Sequence, residues 1–386
     1  MEICIITPTL FPEPGGPSAF VDNFVNSLIK DGHRVTVIAI SESPDLSFKA
    51  ENYLLVKISR KQLRIFRVLK TIFSIIQLGR KSDLIFSCGL FLESAISKLI
   101  IRKPLIIRIG GDPVWEKWTN QEGMKADLDE FYKNRYSPKI EFKKYLQKVS
   151  CKLADRVITP CYFFKSLIEK WKIKTEKIEV VYNGINVENM NLPPKEKLKR
   201  DLFLQGKKVI LTIGRLIEFK RIDEIIKSFS EIKTDHLYLY LYIIGEGFKK
   251  DELIALCKKL DILDRVNFLG IKNHNEVLQY LKAADLFVLN SIDEVMPNVV
   301  LESLAVGTPV IAPNGGGIPE IIQDQVDGLL FPLKRGNKDE LKETIEKLLW
   351  DDELKQVFIK NGFVKINQFN WKKTYKRIMS VINYNL

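Results

Sequence analysis

The chain has 386 residues, 46 % hydrophobic and 28 % charged, which is long enough for two domains and excludes wholesale disorder. A formal net charge of +12 points to an anionic partner: nucleotide phosphates, nucleic acid or an anionic membrane surface. Five scattered cysteines without a CxxC pair and only three histidines argue against a disulfide framework or structural zinc and fit a reducing compartment.

The opening run MEICIITPTLFPEPGG has no basic region before its short apolar stretch, so it reads as a first strand, Ile3–Thr7, rather than a signal peptide. No later run reaches the roughly 18 apolar residues that span a bilayer. A Pro/Gly loop (Pro8–Pro17) leads into a helical pattern over Ser18–Lys30, with Phe20, Phe24 and Leu28 on one face. Further strands are predicted at Val35–Ile40, Leu54–Ile58, Leu84–Ser87, Leu105–Ile109, Arg156–Thr159 and Glu179–Tyr182. A polar stretch with Pro193-Pro194 marks a linker. A second series follows at Lys208–Ile213, Leu237–Ile244, Arg265–Phe268, Leu286–Leu289, Pro309–Ala312 and Gly328–Phe331, each strand succeeded by a helical pattern. Phe369–Tyr384 reads as a terminal helix. Strands alternating with helix-length segments predict an α/β protein of two Rossmann-like, doubly wound domains facing a central cleft. The expected bounds are 1–190 for an acceptor-side domain, 191–368 for a donor domain and 369–386 for a helix packing back on the first.

In open α/β sheets ligands sit beyond the carboxyl ends of the strands, so post-strand segments carry the chemistry. Gly214, Arg215 and Lys220 follow Lys208–Ile213, and two cations there suit a diphosphate, although two solvated surface cations would look the same. After Leu286–Leu289 come Glu294, Pro297, Asn298, Val299, Val300 and Glu302; Pro297 and Asn298 suit a helix start. Either carboxylate can accept two hydrogen bonds from a diol, and the helix start can hold a phosphate. Asn314-Gly315-Gly316-Gly317, with Pro319 opening a helix, and Gly245-Glu246-Gly247 are either ligand loops or tight turns. Pro14-Gly15-Gly16-Pro17 is not GxGxxG, so no dinucleotide fingerprint is present, yet Gly16 leaves room for a phosphate or sugar. Asp112, in Gly110-Gly111-Asp112, is either an acid/base group or a helix cap.

Together the segments GGPSAFVDNFVNSLIKDGHRVTVIA, VVYNGIN, ILTIGRLIEFKRIDEIIKSF and SIDEVMPNVVLESLAVGTPVIAPNGGGIPEII resemble the family-four retaining glycosyltransferases of the GT-B fold, along nearly the whole chain. The pair Glu294/Glu302 with its helix and Gly-rich loop is the most specific part. The resemblance implies that Arg215 and Lys220 bind the donor diphosphate and stabilise the departing charge. Glu302 would hold the ribose and Glu294 the transferred sugar. The backbone of Asn298–Val300 would lie near the phosphates, and Gly16 would approach from the other domain. It implies a nucleotide-sugar donor, a glycan or lipid-linked acceptor, retained configuration, and no metal or cofactor. This chain departs from the family at Gly110-Gly111-Asp112, where many members carry a histidine, and at Val295, where a glycine is usual; Asp112 is the candidate to replace the histidine.

The competing readings are an epimerase or phosphorylase on the same fold, a non-catalytic binding subunit, and a nucleic-acid binder, for which no recognisable motif exists. The chain is expected in the cytoplasm, with residues 52–82 offering contact to the inner face of the membrane. From Asn52 to Ser82 there is no acid, and Lys57, Arg60, Lys61, Arg64, Arg67, Lys70, Arg80 and Lys81 interleave with Leu63, Phe66, Leu69, Ile72, Phe73 and Ile76. Such a helix either lies in an anionic interface or packs its apolar stripe on the sheet.

Overall fold

The computed structural model describes residues 1–10, 13, 15–41, 53–123, 125–232, 238–334 and 336–385. Pro14, Asn52, His236 and Leu237, which fall in segments singled out above, lie outside these residues. The chain divides into two compact units. Unit 1 comprises Met1–Val114, Asn134–Tyr182 and Thr374–Leu386, and unit 2 comprises Trp115–Lys133 and Asn183–Lys373.

Unit 1 is built on β1 (Glu2–Thr7), β2 (Arg34–Ile40), β3 (Leu54–Ile58), β4 (Leu84–Ser87), β5 (Leu105–Arg108), β6 (Arg156–Thr159) and β7 (Ile178–Val180). All pair in parallel, in the order β3-β2-β1-β4-β5-β6-β7. Ile3, Cys4, Ile5 and Ile6 of β1 are all fully buried, as are Ile85 and Phe86 of β4 and Ile106 and Ile107 of β5. A strand covered on both faces has no polar side to show, hence unbroken apolar runs instead of alternation. The C-terminal residues return to this unit: Thr374 Oγ1 donates to Tyr182 O at 2.9 Å, and Tyr375 Oη donates to Asp31 Oδ2 at 2.8 Å.

Unit 2 repeats the plan with β8 (Lys208–Ile213), β9 (Leu239–Ile244), β10 (Val266–Gly270), β11 (Leu286–Val288), β12 (Val310–Asn314) and β13 (Leu329–Pro332), parallel in the order β10-β9-β8-β11-β12-β13. Ile210, Leu241, Leu286 and Ile311 form its core with Ile225, Ile226 and Phe229 of the helix Ile222–Ser230. The expected helix at Pro319 is a correction: Ile318–Glu320 is only a 3-10 turn. Ile318, Ile321 and Ile322 are all buried there at the i, i+3, i+4 spacing of one helical face, but the chain makes only this short turn.

Residues 115–133, which precede the expected boundary at 190, group with unit 2. The Trp115 ring lies 5.4 Å from that of Phe219, Glu116 Oε2 accepts from Arg215 Nη2 at 2.9 Å, and Leu128 N donates to Asp293 Oδ2 at 2.5 Å. Among the described residues no helix is long and apolar enough to cross a membrane.

Candidate functional site

Each sheet has a switch point where consecutive chain excursions go to opposite sides of a central strand. In unit 2 this lies between β8, which leads out to β9, and β11, which leads on to β12. Loops leaving the two strands there diverge and leave a crevice at the carboxyl ends. The loops in question are Gly214–Arg221 and Leu289–Pro297, which contain Arg215, Lys220 and Glu294.

The first loop is held by backbone packing too tight for side chains. Gly214 N donates to Ile244 O and Leu216 N to Glu246 O, both at 2.9 Å. A Cβ on Gly245, whose φ is +142°, would come within 1.9 Å of Gly214 O, and one on Gly247 within 2.2 Å of Leu216 O. The glycines of Gly245-Glu246-Gly247 thus serve this close approach. The loop ends in the 3-10 turn Glu218–Lys220 and then Arg221, a left-handed residue with φ 49°. Arg221 is buried and donates to Asn337 Oδ1 at 2.7 Å and Lys334 O at 2.9 Å. Asn337 in turn donates to Asn290 Oδ1 at 3.3 Å, tying the Lys220 turn to the end of β11. No motif marks Arg221 or Asn337 in the sequence, because their roles depend on contacts more than forty residues apart.

Lys220 Nζ makes an ion pair with Glu294 Oε1 over the Phe219 ring, whose centroid is 5.2 Å from the ammonium. The two side chains are only 14 % and 15 % exposed. A charge so sheltered needs its partner, since losing one member leaves the other desolvated and unpaired. Glu294 is fixed from behind: Gly317 N donates to Glu294 O at 2.7 Å, and a Cβ on Gly316 would lie 2.4 Å from that oxygen. The Gly-rich loop therefore positions the backbone of Glu294. Arg215 is the exposed member, paired with Glu116, with its guanidinium 5.7 Å from the Phe219 centroid.

Beside Glu294, Asp293 adopts a left-handed backbone with φ 52°. Burial pushes its carboxyl up to about 6, with the Asp127, Asp129 and Glu130 carboxylates adding to the effect and the Leu128 N–H opposing it. Pro297 caps the helix Asn298–Val306, and Asn183 Nδ2 donates to Met296 O and Asn298 Oδ1, both at 3.0 Å. Val299 and Val300 occupy the first turn, where Val300 N donates to Pro297 O at 3.1 Å. Glu302, on the next turn, meets His274 Nε2 at 3.0 Å. That hydrogen bond raises the His274 imidazole above its ordinary value, against the effect of burial. His274 opens the helix His274–Ala283 through a capping box of Asn273 and Glu276.

Gly16 and Asp112 belong to unit 1. Gly16 begins the helix Gly16–Lys30 after Gly15, whose φ is +136°. Asp112 is buried and accepts from Val114 N at 2.9 Å and Gln147 Nε2 at 3.0 Å, so its carboxylate caps the start of the helix Pro113–Glu122. Nearby in sequence, Arg108 is buried with its guanidinium 3.6 Å from the Phe20 ring centroid. Among the described residues no three His, Cys, Asp or Glu side chains gather as a metal cradle.

Residues 14–189 match the family model described as Glycosyltransferase Family 4, and residues 194–365 match that described as Glycosyl transferases group 1. A Campylobacter jejuni protein, N-acetylgalactosamine-N,N'-diacetylbacillosaminyl-diphospho-undecaprenol 4-alpha-N-acetylgalactosaminyltransferase, is 31 % identical over 53 % of this chain, and the chain spans about half of that relative, 53 %. The alpha-monoglucosyldiacylglycerol synthase of Streptococcus pneumoniae is 24 % identical over 97 % of this chain and 84 % of its own length. The crystal structure of Anabaena HepE in complex with UDP and glucose superposes over 100 % of both chains with a TM-score of 0.83 at 18 % identity, a likeness of fold. Two parallel Rossmann-like sheets, a paired set of family models and these relatives agree: the chain belongs to the family 4 (group 1) glycosyltransferases of the GT-B fold.

Proposed function

We propose that the chain transfers a sugar from a nucleoside-diphosphate sugar to a glycan or lipid-linked acceptor with retained configuration, in cell-surface polysaccharide or glycolipid assembly. The observation that carries the reading is the sheltered Lys220–Glu294 pair at the β8/β11 switch point, with Arg215 on the same loop. In this mechanism the sugar–phosphate bond breaks as the nucleoside diphosphate leaves, the acceptor hydroxyl forms the new bond to the anomeric carbon on the same face, and its proton passes to the departing phosphate. Arg215 and Lys220 counter the charge that builds on it, and Glu294 holds hydroxyls of the oxocarbenium-like sugar. Glu302, oriented by His274, takes the ribose diol, and the first turn of Asn298–Val306 lies against the phosphates. The protein supplies fixed charge instead of a covalent nucleophile, and each such donor is worth about 2.7–4 kcal/mol where it has been removed. No divalent metal takes part. A uridine nucleotide is the first donor to try, since the fold neighbour HepE is described bound to UDP. The acceptor choice is supported by the relatives named for undecaprenol-linked and diacylglycerol products.

The test is a transfer assay on UDP-, GDP- and ADP-sugars with lipid and glycan acceptors, with product anomers read by NMR. Acceptor-dependent release of nucleoside diphosphate, undiminished by EDTA and lost by about 10²–10³ in Lys220→Ala, is expected. Sugar isomerisation without an acceptor would make the chain an epimerase, and phosphate-dependent cleavage would make it a phosphorylase.

A further inference from the structure

The β8/β11 crevice lies at the carboxyl ends of the strands of unit 2, and a second cavity lies at their amino ends. It measures about 400 Å³ and opens where Lys208 starts β8, Tyr238 precedes β9 and Asp285 precedes β11. Lys199 and Arg200 of the helix Lys195–Asp201 line it, as does Lys207 of the turn that follows.

Folding accounts for part of this charge. Asp285 Oδ1 accepts from Lys195 Nζ at 3.0 Å, and Oδ2 accepts from Lys199 Nζ at 3.0 Å and from Val209 N at 2.8 Å. Against the upward push of burial, the two ammoniums hold this carboxyl below its ordinary value. The other cations exceed what the fold uses. Arg200 has no side-chain partner among the described residues, and the Lys207 ammonium has only the Tyr240 ring, 4.9 Å away. Lys208 reaches Asp352 only at 3.7 Å, and Lys355 engages that same exposed carboxylate. Glu196 is the other acid on the lining, and it is exposed. Burial holds the Lys355 ammonium below its ordinary value, opposed by Asp352 and reinforced by Lys208. Burial lowers Lys195 likewise, opposed by Asp285 and reinforced by Lys199 and Lys355. Like charges thus crowd one another around the cavity, and an anion placed among them relieves that repulsion. The side chains of Lys199 and Lys208 are only 13 % and 26 % exposed, so water screens them less than it screens surface lysines.

We propose that this cavity binds a small phosphate ester. The Arg200 fork and the Lys207 and Lys208 ammoniums take the phosphate oxygens, and Tyr238 walls the organic part. A phosphate dianion brings more charge to these cations than a single carboxylate does, and sites for small molecules run from about 300 to 1,000 Å³. The proposal is independent of the donor chemistry at the carboxyl ends.

Isothermal titration of ribose 5-phosphate into the whole chain tests it, with ribose as the control. Saturable binding that weakens as salt rises is expected for the phosphate ester, and none for ribose. The binding should persist in Arg215→Ala/Lys220→Ala, which removes the cations of the donor crevice. It should weaken at least about tenfold in Arg200→Gln/Lys207→Gln, with folding checked by circular dichroism. Lys172→Gln/Lys174→Gln removes the same charge from exposed positions of unit 1 and should leave the affinity unchanged. Absence of saturable binding to wild type would overturn the proposal, as would an affinity untouched by Arg200→Gln/Lys207→Gln. Loss of binding in Arg215→Ala/Lys220→Ala would overturn it too, giving the phosphate to the donor crevice, and an equal loss in Lys172→Gln/Lys174→Gln would reduce the effect to net charge.

Discussion

At the scale of single residues, the site divides into what the sequence displays and what only folding assembles. Arg215, Lys220, Glu294 and Glu302 are visible because each follows a strand or opens a helix. Their partners are not: His274 reaches Glu302 from 28 positions away, and Glu116 reaches Arg215 from 99. The two carboxylates should separate by role. Glu302→Gln is expected to weaken binding of free nucleoside diphosphate in calorimetry, with His274→Ala doing so to a smaller degree, whereas Glu294→Gln should mainly depress use of the sugar donor. Equal loss of nucleotide affinity in Glu294→Gln and Glu302→Gln would reverse those roles. Asp293 offers a pH test. Its carboxyl sits near 6 in the fold against an ordinary 3.8, so the folded state binds that proton more tightly than the unfolded chain. Its favourable contribution is complete below about pH 4 and disappears as pH rises through about 6. Asp293→Asn keeps an acceptor for Leu128 N and removes the charge. The variant should melt with wild type near pH 4 and above it near pH 7; a difference in melting temperature that ignores pH would refute the assignment.

At the scale of elements, the strands are legible because burial on both faces demands uninterrupted apolar residues, and Lys208–Ile213, Leu84–Ser87 and Arg156–Thr159 match their expected bounds. The 3-10 turn at Ile318–Glu320 is not legible, since a proline after glycines signals a helix start without showing how far it runs. The helix Arg64–Gly79 illustrates a different limit: periodicity identifies an apolar face, but only packing shows that it points outward. The glycine pairs give the sharpest prediction at this scale. Gly245→Ala combines a left-handed backbone with a Cβ 1.9 Å from Gly214 O. It should cost roughly 1–3 kcal/mol and, by shifting the loop that bears Arg215 and Lys220, lower turnover as well. Gly110→Ala, whose nearest neighbour is the Arg108 guanidinium at 3.4 Å, serves as the tolerated control. Thermal denaturation of both variants decides; equal melting temperatures would show that the backbone approach is not tight.

At the scale of the whole molecule, two doubly wound sheets were legible from alternating elements, and the family from an ordered set of motifs along both halves. The grouping of Trp115–Lys133 with the second half was not, because it depends on the Trp115–Phe219, Glu116–Arg215 and Leu128–Asp293 contacts between distant parts of the chain. Of the cations behind the net charge of +12, Arg215 and Lys220 lie on the loop at the β8/β11 switch point, where the proposed diphosphate would bind. The diphosphate site is the central claim, and isothermal titration of UDP, GDP and ADP into wild type and Arg215→Ala/Lys220→Ala tests it most directly. One nucleoside diphosphate should bind saturably to wild type without added metal, with affinity falling at least about tenfold in the double variant. Absence of binding by all three, or undiminished binding by the double variant, would contradict it.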